Sequence, residues 1–320
     1  MKNFVKTLPF ALGVLALSAS AEELWTPHFS GIQNGYSTGA LPPHEGLYFI
    51  NTTDFASVSV YGPDSKSTGT KLTAEVEIPE LAWITPWKPL GADYAVAIAQ
   101  PWVHIDLTPN LPGGLTAQLE PLFGTSPSIS HSGLYATFLT PAFLSWHLPE
   151  HFFVAFRTDV YVPDGGWQNP LTHGIAGHLN SLGFWAVEPS VAVSWLNDGW
   201  NASVKLYYDH NFRDQHTDYT SGDAIGTEFT VAKTLGKWSF GLTGYTKTQI
   251  ADDKGATYRL FEQIGLSGPN GNRYEDYAVG PTVGYNFGPV IVNASLDHSL
   301  SVKNGAGGDQ IFTRLIVPLF

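Results

Sequence analysis

The feature that most constrains this chain is a repeated two-residue alternation of apolar and polar side chains. From 200 to 209, Trp200, Ala202, Val204, Leu206 and Tyr208 fall on one side of an extended backbone. Asn201, Ser203, Lys205, Tyr207 and Asp209 fall on the other. The same pattern returns around 290–303, where Val290, Val292, Ala294 and Leu296 oppose Asn293, Ser295 and Asp297. It returns at 185–195, with Glu188, Ser190 and Ser194 on the wet side, and at 152–162, with Arg157, Asp159 and Tyr161. Period two means strands with one apolar and one wet face. Many such strands admit two architectures, a soluble sandwich or a membrane barrel.

Composition separates the two. Only 14% of residues are charged, against about 25% in an average soluble domain. Aromatic residues reach 13%, with 10 Trp, 14 Tyr and 19 Phe. Mean hydropathy is nonetheless −0.04. The wet faces carry mostly Ser, Thr, Asn, Gly and Ala, whereas the outer face of a sandwich needs more Lys and Glu. Beyond the N-terminus, no run of 18 or more apolar residues offers a membrane-spanning helix. A net charge of −12 argues against a nucleic-acid partner. The expectation is an all-β, antiparallel transmembrane β-barrel.

Residues 1–21 read as a secretory signal peptide. Lys2 and Lys6 precede an apolar run from Leu8 to Leu17, and Ala19-Ser20-Ala21 closes it,. The chain has no Cys, so no disulfide framework is expected outside the cytoplasm. Residues 22–45, rich in Gly and Pro and without alternation, form a periplasmic tether or a plug in the lumen. Residues 46–320 form the barrel. Strands are expected near 46–60, 69–87, 92–107, 133–148, 151–164, 181–196, 200–214, 222–236, 238–253, 274–287, 289–303 and 308–320. Short turns alternate with long polar loops, the barrel pattern. About 12 strands put both termini in the periplasm. The alternative is 14, should the apolar stretch LTAQLEPLF at 115–123 hide two more. The chain ends on Phe320 with no polar tail, which suggests a signal read by barrel-insertion machinery.

The segments STGALPPHEGLYFIN, PWVHIDL, LNDGWNASVKLYYDHN and TDYTSGDAIGTEFTVAK resemble the outer-membrane proteins associated with meta-pathway phenol degradation. The resemblance implies a barrel in the bacterial outer membrane that transports small aromatic or other hydrophobic compounds. It supplies no substrate-contacting residues.

Candidate lumen and solute-path residues therefore come from alternation: Glu75, Glu77, Trp102, His104, Asp106, Arg157, Asp159, Tyr161, Glu188, Lys205, Tyr207, Asp209, Tyr245, Lys247 and Asp297. Opposite charges are expected to pair in so narrow a lumen. About 12 strands leave a narrow path, so a few polar contacts should set selectivity. The other functional readings are a nucleoside-type or nonselective narrow channel and, further off, a barrel enzyme. No catalytic constellation is expected: Gly-x-Ser-x-Gly is absent, and His131-Ser132 falls in a loop. His173 and His178 are spaced poorly for a metal, and no cofactor is expected. The expected partners are outer-membrane lipid, the insertion machinery and a small organic solute.

Overall fold

The computed structural model describes residues 26–108, 110, 128–165, 182–215, 217–256, 258–259 and 273–320. The proposed signal peptide, the stretch 115–123 and the loop carrying His173 and His178 lie outside the described residues. The strands are β1 Gly46–Tyr61, β2 Ser67–Ile84, β3 Asp93–Ala99, β4 Trp102–Thr108, β5 Ile129–Leu134, β6 Thr137–His147, β7 Phe152–Val162 and β8 Ala186–Asn197. They continue with β9 Trp200–Asn211, β10 Tyr219–Thr220, β11 Ala224–Leu235, β12 Trp238–Gln249, β13 Lys254–Gly255, β14 Glu275–Asn286, β15 Ile291–Lys303 and β16 Gly305–Pro318. Short β10 and β13 pair only with each other.

The remaining 14 segments form one sheet. β1 pairs with both β16 and β2, so the sheet closes on itself. β3 and β4 both pair with β2, and are one strand broken at Gln100–Pro101. β6 pairs with β3 and β5 with β4, one strand broken at Tyr135–Ala136. Counted this way, the barrel is a closed antiparallel sheet of 12 strands. The breaks follow from proline, which has no N–H for the ladder. Gln100 N–H still reaches the Pro79 carbonyl at 3.2 Å, and Tyr135 N–H the Pro101 carbonyl at 3.0 Å. The wall is therefore stitched across the break.

Turn chemistry sets the register at one rim. Asp198 and Gly199, at φ 47° and 73°, join β8 to β9 in two residues, with positive φ at both. That is the hairpin turn whose twist matches the strands. This short-turn rim also carries the connections β6–β7, β11–β12 and β14–β15. Long loops leave the opposite rim.

Polarity is inverted relative to a soluble protein. Glu188, Asp209, Glu228, Thr243, Lys247 and Asp297 face inward and are fully buried. Val191, Val193, Val204, Leu206, Val231, Phe240 and Leu242 face outward and are exposed. Trp83, Trp200, Trp238 and Phe287 ring the short-turn rim, and Trp102, Leu134, Trp185 and Phe212 the other. A 12-residue strand such as β9, rising ~3.3 Å per residue at a tilt near 45°, spans roughly 28 Å, the thickness of a bilayer's hydrocarbon core. No described helix is long and apolar enough to cross a membrane; the strands cross instead.

β1, β2, β4 and β5 run on past this apolar belt. There the polarity reverses again. Val76, Ile78, Val103, Ile105 and Leu107 turn inward into an apolar cluster with Tyr135, Leu182 and Phe184.

Candidate functional site

The lumen is shared between a polar wall, an N-terminal segment and a cavity. Residues 26–45 lie against the inner wall rather than outside the barrel. His28 Nδ1 meets Glu188 Oε2 at 2.9 Å, and its Nε2 meets Glu228 Oε1 at 3.0 Å. Its ring stacks on Tyr207 at 4.0 Å. Burial disfavours a charged imidazole here, but Glu188 and Glu228 outweigh that cost and hold its pKa up to about 9. With both ring nitrogens facing carboxylates, the imidazolium can donate to each. Gly31 N–H donates to Glu228 at 2.8 Å. A Cβ at Gly31 would sit 2.6 Å from Asp297 Oδ2, and its φ is +88°, so only glycine lets the segment pack this closely. Asn34 Nδ2 donates to both oxygens of Asp297 at 2.9 Å. Gly35 N–H reaches Thr230, Gly39 N–H reaches Ser194, and Ser145 donates to the Gly39 carbonyl.

Beside the segment, space remains along the inner wall of β1–β3, β6, β7 and β16. A cavity of about 1140 Å³ fills that space and reaches the short-turn rim at Asn197–Trp200 and Asn286–Pro289. Its wall is amphipathic. Ile50, Ile78, Ala97, Ala99, Phe138 and Phe143 supply apolar surface; Glu80, Arg157, Asp159 and Arg314 supply charge. Phe29 and Tyr36 of the segment complete it. A cavity mostly apolar with a few converging polar groups is the form of a small-molecule site.

Alternation places Arg157, Asp159, Tyr161, Glu188, Lys205, Tyr207, Asp209, Tyr245, Lys247 and Asp297 inward, and all ten side chains lie inside the barrel. They pair as charges in a narrow lumen should. Arg157 meets Asp159 at 2.7 Å, Lys205 meets Glu188 at 2.8 Å, and Lys247 meets Asp209 at 3.3 Å. Tyr161 donates to Glu188 at 2.6 Å, and Tyr245 to Asp276 at 2.7 Å. Of the ten, Arg157, Asp159, Tyr161 and Lys205 line the cavity.

Glu75, Glu77, Trp102, His104 and Asp106 are different: they sit on the outer face. Trp102 and Asp106 are exposed, while their neighbours Val103, Ile105 and Leu107 are fully buried. Glu77 is held from the outside by Asn51 at 2.8 Å and Thr53 at 2.9 Å. The cause is the reach of β2 and β4 beyond the apolar belt. Outward carboxylates there meet water, and the inner face is apolar, so the lumen rule inverts. On the same outer face His104 Nδ1 meets Ser132 Oγ at 2.6 Å, and His104 Nε2 meets Asp106 at 3.4 Å. The serine is on the nitrogen that takes the carboxylate in serine hydrolases, and the carboxylate on the other. The trio reads as a surface hydrogen-bond cluster. Ser132 lies in β5, not in a loop.

Three residues of the lumen escape alternation. His28 lies in a segment without any period. Glu228 sits on a wet face that offers no spacing to single it out. Arg314 lies on the Phe312–Ile316 face, now seen to be the inner one: Phe312 is buried and Ile316 lines the cavity. One signal did exist for His28. Inward carboxylates outnumber inward Lys and Arg, an imbalance that a cation from elsewhere in the chain relieves.

Among solved structures the chain is similar to an outer membrane channel of Pseudomonas putida F1, with 14% identity, a TM-score of 0.68 and coverage of 88% of this chain and 98% of that one. It is also similar to the β-domain of a Bordetella autotransporter, at 11% identity, TM-score 0.48 and coverage of 86% and 100%. A monoaromatic hydrocarbon channel aligns at 12% identity, TM-score 0.42 and coverage of 85% and 90%. No curated protein sequence matches the chain. The first similarity supports the barrel fold. A family model matches residues 56–315, most of the chain, and the protein therefore belongs to the family described as "Putative MetA-pathway of phenol degradation".

Proposed function

We propose that this protein is an outer-membrane channel for small hydrophobic or aromatic compounds, with residues 26–45 as a plug that narrows the lumen. The observation that carries the reading is the cavity of about 1140 Å³ beside the docked segment. It is wide enough for a small ring, amphipathic, and open at the short-turn rim. A general diffusion pore uses a wide aqueous lumen of about 16–18 strands. Here 12 strands and an occupying segment leave a path that selects by fit. The family's description names phenol degradation, and the P. putida structure is of an outer membrane channel; both agree with this role. The short-turn rim is periplasmic and the long loops are outside. Because the wall is stitched at its proline break, the solute travels along the lumen.

Uptake by intact cells tests this, because the lipopolysaccharide leaflet slows apolar solutes that a simple bilayer passes. Cells making the protein should take up radiolabelled 2-phenylethanol faster than cells without it, and should gain little for erythritol, a polyol of equal mass. Equal acceleration of both would leave a nonselective pore, and no acceleration would remove the channel reading.

A further inference from the structure

One guanidinium in the cavity is in direct contact with no carboxylate. The Arg314 guanidinium lies 4.3 Å from the Tyr36 ring centroid, and its Nε donates to Thr52 Oγ1 at 2.8 Å. Arg157, by contrast, is paired with Asp159 at 2.7 Å. Among the described residues Arg314 forms no ion pair within 4 Å; Glu80 shares the cavity and acts on it at longer range. A guanidinium carries five N–H donors. The ring face and Nε are used, which leaves the two terminal amino groups for an occupant of the cavity. A cation without a contacting carboxylate is costly in a narrow, low-dielectric space, and an anionic guest seated on it offsets that cost.

The register sets what stands beside it. Arg314 is opposite Thr52 on β1, and Thr52 is opposite Ile78 on β2. Two strand spacings separate the backbones of Arg314 and Ile78, and the guanidinium, held against Thr52 on β1, stands about one spacing of ~4.8 Å from Ile78,. On the next strands the wall continues through Ala99, which is opposite Glu80, and Phe138, which is opposite Ala99.

We infer that the cavity holds a subsite for a small aromatic monocarboxylate, with its carboxylate forked on Arg314 and its ring on Ile78, Ala99 and Phe138. The inference rests on the channel reading and narrows its solute class. Arg suits this task because its planar fork matches both carboxylate oxygens. Glu80, opposite Ile50 on the neighbouring strand, repels a second negative charge, so monoanions are taken in preference to dianions. Tyr36 fixes the guanidinium from below, so the subsite is complete only with the N-terminal segment docked.

Calorimetric titration of the full-length protein in detergent at pH 8 tests this, with benzoate, phthalate and the neutral isostere benzamide as probes. Wild type should bind benzoate at least tenfold more tightly than phthalate. R314Q should weaken benzoate at least tenfold and leave benzamide within twofold, and R314K should fall between for benzoate. Heat-modifiable mobility establishes that each variant is a folded barrel. Equal weakening of benzoate and benzamide in R314Q would show that Arg314 only supports the segment, and would overturn the subsite. So would benzoate affinity untouched by R314Q, or a wild type that prefers phthalate. Binding of benzamide but not benzoate to wild type overturns the subsite and leaves the channel reading standing. Binding of neither also overturns it, and the cell-uptake measurement then decides the channel reading separately.

Discussion

At the scale of the residue, Glu188 is the busiest group in the lumen. It accepts from Tyr161, Lys205 and His28 within 2.9 Å and is fully buried. Glu188→Leu leaves buried Lys205 without its contacting carboxylate, and removing one partner of a buried pair costs about 3–5 kcal/mol,. Denaturant titration of the refolded barrel should show a loss of that order; a loss below ~1 kcal/mol would mean that the pair is solvated. His28 adds a pH dependence. Its pKa rises on docking from 6.5 to about 9, so its contribution to holding the segment is complete below about pH 6.5 and is lost as pH rises through 9. The groups facing it are Glu188, Glu228, Lys205 and Tyr207. Protease cleavage within residues 26–45 should therefore accelerate above pH 9 in wild type. In His28→Gln it should already be faster at pH 7 and nearly flat with pH. Cleavage independent of pH in wild type would contradict the charged latch.

At the scale of the element, height along the barrel matters as much as facing. Val204 on β9 is 47% exposed, within the apolar belt. Arginine there should cost about 2–4 kcal/mol, because its charge cannot be hydrated near the bilayer midplane. Glu75→Arg, also outward but beyond the belt on β2, should cost at most about 1 kcal/mol. Refolding into lipid vesicles measures both, and equal costs would place β2 in hydrocarbon after all. This contrast explains what alternation made legible. The barrel strands from β7 to β14 keep one polarity along their length, so period two gave the correct facing for Arg157, Glu188, Lys205 and Lys247; in β15 a bulge near Leu300 turns Val302 inward. β2 and β4 leave the membrane partway. Their inner face becomes apolar and their outer face polar, and period two has no means of marking where. Residues 26–45 have no period at all, so their docking is decided by tertiary hydrogen bonds that no local pattern records. The last element carries its own test. The Phe320 side chain is 88% exposed, while its carbonyl accepts from Leu47 N–H at 2.9 Å. Deleting Phe320 should lower the amount of assembled barrel more than the stability of what assembles, if the exposed aromatic is read during insertion.

At the scale of the whole molecule, the parts form a narrow barrel filled in two ways. Part of the lumen is occupied by the N-terminal segment, fastened through His28, Gly31, Asn34 and Gly39. Beside it lies a cavity whose wall mixes aliphatic and aromatic residues with guanidinium and carboxylate groups. Strand count and filling together exclude a wide aqueous pore, and the open rim gives a solute a route. Ala99 lies in the middle of the apolar wall, 4% exposed and lining the cavity. An indole at that position would project into the space beside Glu80, its cross-strand neighbour. The most direct measurement is thus uptake of radiolabelled 2-phenylethanol by cells making wild type or Ala99→Trp at equal levels of heat-modifiable barrel. Transport through the cavity predicts faster uptake with wild type and a return to the protein-free rate with Ala99→Trp. Uptake that is equally fast with both proteins would show that solutes do not pass through this cavity.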